Sequence, residues 1–235
     1  MPRGRVCDPE PVNLAQAMKQ IVPAVQDLKR RSMHGEDTTM PPCLIALRDD
    51  RVVTVVTAPR LAAVIDSAQT LAIGLAPQML VIAAQVNLPA REESSDLPAQ
   101  APGEGIAYTT FNRDKQANLA VQRYLVRDGE VSFGPPERGR PDDRTLMDEL
   151  AKAMSHDALD PTKVARKDDV PEDGSLPTFL PEEEGRLAID AGTVRTAYEK
   201  VRAIGGTALF IAADGAQATR MLAAGLPQEC LLGAD

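Results

Sequence analysis

Residues 43–58 read CLIALRDDRVVTVVTA, and the reading of that stretch sets the fold class. Two runs rich in Val, Leu, Ile and Thr flank Arg48-Asp49-Asp50, the pattern of two strands joined by a tight polar turn. The same order returns at 123–133 in RYLVRDGEVSF. There Asp128-Gly129 suits a type I′ turn, because both residues tolerate a positive φ. The echo reads as two hairpins that share a turn chemistry; a duplicated binding loop is the alternative.

Working outward, Asn13 to Arg31 carries Leu14, Met18, Ile21, Val22, Val25 and Leu28 at helical spacing, with Asn13 placed to cap. Pro23 lies inside that pattern and predicts a kink or a division. After the first hairpin, LAAVIDSAQTLAIGL has helical periodicity and ends near Gly74 and Pro77. MLVIAAQV reads as a buried strand. Asn87 to Gly105 is rich in Pro, Glu, Ser, Asp and Gly and reads as a long surface loop. GIAYTTFNRD, ANLAVQRYLV and EVSFG follow as strands, then a loop with two prolines and a helix from Asp142 or Asp143 to about Met154.

The expected class is therefore α/β (α+β). Residues 1–156 form a mostly antiparallel sheet flanked by helices, and 157–184, rich in Pro and Asp, form a linker. Residues 185–235 form a small β-α-β-α-β unit: RLAID, a helix from Thr193 to Ile204, TALFIAA, a helix from Gly215 to Ala224, and ECLL. That unit either packs on the first or extends its sheet, and RLAID (186–190) is either a strand or the first turn of a long helix. The order of elements in the first unit resembles, at the level of fold, that of roadblock-type and MPN-type modules, without a sequence motif of either.

Composition narrows the functional classes. The chain of 235 residues is 43% hydrophobic and 26% charged, as in ordinary globular proteins. Its alanine and arginine bias is that of a GC-rich bacterial genome. A formal net charge of −8 opposes binding to phosphate backbones, so nucleic acid is not an expected partner. The basic triplet Lys29-Arg30-Arg31 reads as a complement to a helix dipole. Three separated cysteines, Cys7, Cys43 and Cys230, form no CxxC and fit a reducing cytoplasm. No apolar signal-peptide core and no apolar run of spanning length is evident, so a cytoplasmic protein with no membrane partner is expected.

The sharpest candidate chemistry sits at two aspartates, Asp190 in RLAIDAGT and Asp214 in LFIAADGAQAT. At the carboxyl edge of parallel strands, two such carboxylates could share Mg²⁺ or Mn²⁺. Gly215 and Thr193 could then approach a phosphate, with Gly192 and Thr219 beside them. LAIDAGT resembles the Asp-x-Gly-Thr phosphate-binding turn of sugar-kinase-like ATPases. The competing reading is capping, since Asp214-Gly-Ala-Gln217 has the form of a capping box. His34 and His156 stand at helix ends or in polar loops. Asp142, Asp143, Asp148 and Glu149 read as a capped helix with a solvated face. Cys43 and Cys230 read as buried small hydrophobes. The function expected is a non-enzymatic protein-interaction or assembly module without a cofactor, partnered by another protein or by itself as a homodimer. The alternative is a divalent-metal-dependent enzyme acting on a phosphorylated small molecule or nucleotide through Asp190 and Asp214.

Overall fold

The computed structural model describes residues 13–35, 37–48, 51–65, 67–68, 77–90, 101–112, 117–139, 191–212, 215–223 and 225–232. It has mixed α/β content built on one mostly antiparallel sheet. In chain order the elements are α1 (Leu14–Ser32), β1 (Cys43–Arg48), β2 (Arg51–Thr57), β3 (Met79–Leu88), β4 (Gly103–Asn112), β5 (Ala117–Arg127) and β6 (Glu130–Arg138). Then come α2 (Ala191–Ala203), β7 (Thr207–Ile211), α3 (Gly215–Ala223), a 3-10 turn at Gln228–Cys230 and β8 (Leu231–Leu232). Among the described residues the sheet has eight strands in the order β6-β5-β4-β3-β1-β2-β7-β8. Residues 61–65 and 67–68 are also helical.

Both hairpins form where the turn chemistry places them. Arg48 faces Arg51 across the first, and Arg127 faces Glu130 across the second. Asp128 and Gly129 have φ of 52° and 82°, as a type I′ turn demands. α1 runs unbroken through Pro23, because Pro23 lies on the exposed side, where water can satisfy the carbonyl it leaves unbonded. The Asn13 side chain accepts from the amides of Ala15 and Gln16 at 3.0 and 3.3 Å, which fixes the start of the helix.

Alternation along the strands feeds two cores, one on each face. Cys43, Ile45 and Leu47, with Met79, Val81 and Ala83, point to α1 and meet Ala17, Ile21 and Val25. Leu44, Ala46, Leu80 and Ile82 point the other way. There they meet Val64 and Ala68, Val201 of α2 and Met221 of α3. The sheet is thus a middle layer with helices on both sides.

The C-terminal elements extend the first sheet: β7 pairs antiparallel with β2, Val56 opposite Ala208 and Thr54 opposite Phe210. β8 pairs parallel with β7 on its other side. α2 and α3 both end in Schellman motifs. In α2, Gly205 at φ +77° and Gly206 bond back to the carbonyls of Arg202 and Val201. A Cβ on Gly206 would lie 2.5 Å from the Thr57 carbonyl, so glycine is what lets α2 turn into β7 against β2.

Three boundaries differ from the sequence reading. Asn87 and Leu88 pair with Glu104 and Gly103, so the expected surface loop shortens at both ends; cross-strand pairing overrides composition. β6 runs through Pro135 and Pro136 to Arg138. Those prolines are tolerated because β6 is an edge strand. The expected helix at 142–154, the linker at 157–184 and RLAID all lie outside the described residues.

Candidate functional site

The inner face of α1 buries Ala17, Ile21, Val25 and Lys29, a series stepping by four along one stripe. The last of these is a lysine, and only 2% of it is exposed. Its Nζ donates to the Thr38 carbonyl at 2.8 Å and to Gln85 Oε1 at 3.1 Å. It also stands 4.8 Å from the centroid of the Tyr124 ring, within range of a cation–π contact.

The network continues outward to a carboxylate. Gln85 Oε1 accepts the Met40 amide at 3.0 Å as well, and Gln85 Nε2 donates to Glu104 Oε1 at 3.2 Å. Tyr124 donates its hydroxyl to Glu104 Oε2 at 3.0 Å. Five segments therefore meet here: α1, the segment at 37–40, and strands β3, β4 and β5 supply Lys29, Thr38, Gln85, Glu104 and Tyr124 in turn. Burial lowers the Lys29 pKa, and the charges of Glu104 and Asp37 pull it back up in part. Burial, then the hydrogen bond and charge of Glu104, push the Tyr124 hydroxyl up. Next door, the Arg30 guanidinium lies 5.1 Å from the Phe133 ring centroid on β6.

A second polar bridge sits deeper. Tyr108 donates to Gln122 Oε1 at 3.0 Å, and Gln122 Nε2 donates to the Gly134 carbonyl at 2.7 Å. Both side chains are buried, and the bridge ties β4, β5 and β6. Cys43 beside it is an inert thiol, pushed up to about 12 by desolvation, with only partial relief from the Ala83 backbone. Cys230 is likewise buried, its thiol directed to the Pro227 carbonyl at 3.0 Å.

The residues singled out in the sequence lie elsewhere. Asp190 and Asp214 are outside the described residues; α2 begins at Ala191 and α3 at Gly215, so each aspartate immediately precedes a helix. Thr193 is in the first turn of α2. Gly215 opens α3, with nothing within 4 Å of the place a Cβ would occupy. Thr219 spends its hydroxyl on the Gly215 carbonyl at 2.8 Å. Both hydrogen-bonding sides of β7 are taken, by β2 and β8. Among the described residues no group of three or more His, Cys, Asp or Glu is placed to hold a metal ion. No described helix is long and apolar enough to cross a membrane.

No protein-family model matches the chain, and no curated protein and no solved structure matches it either. The Lys29 cluster was missed from sequence because the triplet Lys29-Arg30-Arg31 was read as one unit. The signal that separates Lys29 from its neighbours is its place four residues beyond Val25 on the buried stripe.

Proposed function

We propose that this chain acts by binding protein, and that its partner is a second copy joined through β6. The observation that carries this reading is the edge at one end of the sheet. β6 spans Glu130–Arg138 and, among the described residues, has only β5 beside it. Because Arg127 and Glu130 close a two-residue turn, they exchange hydrogen bonds, and Val131 and Phe133 aim their backbone groups away from β5. Leu125 and Val126, on the strand behind, are 62% and 41% exposed. The opposite edge, β8, is only Leu231–Leu232 and offers little to pair with.

Pro135 and Pro136 lack amide hydrogens and limit pairing to the first half of β6. In an antiparallel copy-to-copy pairing, Val131 of one chain then faces Phe133 of the other; any other register runs into a proline or the turn. The test is sedimentation velocity on the wild type and on Val131→Pro. That substitution removes an outward amide and leaves the ladder to β5 intact. The wild type is expected to sediment as a dimer at tens of micromolar and the variant as a monomer with a near-native melt. A wild type that stays monomeric at that concentration overturns the reading.

A further inference from the structure

The polar end of the α1 stripe has a second meaning, independent of what β6 binds. Lys29 occupies a position where Ala17, Ile21 and Val25 forecast an apolar residue. Its acceptors do not depend on it. Thr38 is exposed, so water can reach its carbonyl. The Ser32 hydroxyl, bonded to the Lys29 carbonyl at 2.8 Å, lies 3.3 Å away as an alternative donor, and Gln85 Oε1 also receives the Met40 amide. A buried charge whose removal orphans no partner is a net burden on the closed structure, since replacing buried charges with packed apolar groups is often neutral or stabilising. What the charge does achieve is local: it sits between the end of α1, the 37–40 segment and three strands at once.

We propose that the C-terminal half of α1, together with residues 37–40, is a strap that opens from the sheet as one unit, and that the charge on Lys29 sets how often it opens. Opening returns the ammonium to water and frees Gln85, Glu104 and Tyr124 together. Local opening of this kind draws on the low-stability end of a fold. Of the four inward residues of α1 only Val25 and Lys29 lie in the strap, and the charged one is last.

The pH dependence follows from the groups that face Lys29. These are Asp37 from the 37–40 segment, Glu104 from β4 and Tyr124 from β5, with Arg30 and Arg31 flanking it on α1; β3 presents the uncharged Gln85. Lys29 is lowered from 10.5 in the closed state and returns to its ordinary value when open, so the open state binds the proton more tightly. Raising pH from neutrality must make opening rarer as Lys29 loses its proton in the closed state. The upward shift of Tyr124 from 10.0 is lost on opening and acts with the opposite sign as pH nears 10.0, so the lysine effect is read below about pH 9.

Native-state hydrogen exchange, corrected for intrinsic rates, tests this on the full chain. The reporters are the Met40 amide and the amides of the last turns of α1. In Lys29→Met these openings are expected to become about tenfold rarer, the melting midpoint to rise, and the pH dependence of opening to vanish. Glu104→Gln removes a counter-charge and is expected to raise opening in the wild type but not in Lys29→Met. A Lys29→Met protein that opens more, melts lower or fails to fold shows Lys29 to be an ordinary stabilising contact and overturns the proposal. So does exchange of Met40 that is uncoupled from α1.

Discussion

The two faces of the sheet are built from the same strands by different means. On the face that carries α2 and α3, the core is mostly aliphatic with two buried phenylalanines: Leu44, Val56, Leu80, Ile82, Phe111, Val201, Phe210 and Met221 belong to one cluster. Its buried hydroxyls are settled locally, as when Thr54 donates to the Leu209 carbonyl at 2.7 Å. On the face that carries α1, the apolar cluster is interrupted by Lys29, Tyr108, Gln122 and Tyr124, each held by named partners. Alternating side chains along one strand thus serve a face that packs by area and a face that packs partly by hydrogen-bond geometry. The first tolerates sliding and the second does not, because a displaced polar group buried without a partner costs about 1–3 kcal/mol.

The largest expected effect separates the faces by deletion. Phe210 is fully buried between β2 and β8, and Phe210→Ala should cost about 3–5 kcal/mol in a urea titration. Ile21→Ala on α1 should fall nearer 2 kcal/mol, the low end of its class, because a helix at the surface can settle into the space. If Ile21→Ala is the more damaging, the contrast between the faces is wrong.

A smaller effect separates them by alkali. Cys43 is shifted from 9.0 to about 12, so the folded thiol keeps a proton that the unfolded chain releases. The stability it contributes is fully present below pH 9.0 and is lost as pH rises through about 12, at on the order of 1.4 kcal/mol per pH unit for one proton. Tyr108 and Tyr124 on the same face are also shifted upward from 10.0 and act with the same sign. Lys29 is shifted down and acts with the opposite sign; one proton does not offset three. Stability measured by urea titration should therefore fall steeply above pH 10.0, where both tyrosines join Cys43, and Cys43→Ala should flatten the fall. Cys230→Ala on the other face should flatten it less. Equal effects from the two cysteines would place the alkaline sensitivity on both faces.

How much of this was legible in the sequence depended on how local the cause was. The hairpins were readable because Arg-Asp turns and Asp128-Gly129 act over a few residues. α1 was readable from its spacing and from Asn13. β7 beside β2 was left open between two arrangements, because Val56 and Ala208 are far apart in sequence and nothing local announces their pairing. β6 was cut short at Gly134 because proline is read as a strand breaker, a rule that fails at a sheet edge. Lys29 was hidden by its neighbours: a basic run near a helix end satisfies the dipole argument, and only the stripe through Val25 shows that one of the three points inward. Burial of a single charge is a tertiary fact with a faint periodic trace.

The smallest effect concerns the helices of the aliphatic face. α2 and α3 begin directly after Asp190 and Asp214, where a carboxylate can accept from the first free amides and complement the helix dipole. On that reading Asp190→Asn leaves an effective cap and forfeits mainly the charge, as does Asp214→Asn. The double variant should melt slightly lower, with a loss of about 1 kcal/mol or less in total. Its midpoint should be indifferent to EDTA, Mg²⁺, Mn²⁺ and a small panel of nucleotides, as should that of the wild type. A ligand that binds only the native state must raise the midpoint. An upward shift by metal in the wild type that disappears in the double variant would therefore turn these two residues from caps into a site. It would also move the chemistry of this protein from the β6 edge to the far end of the sheet.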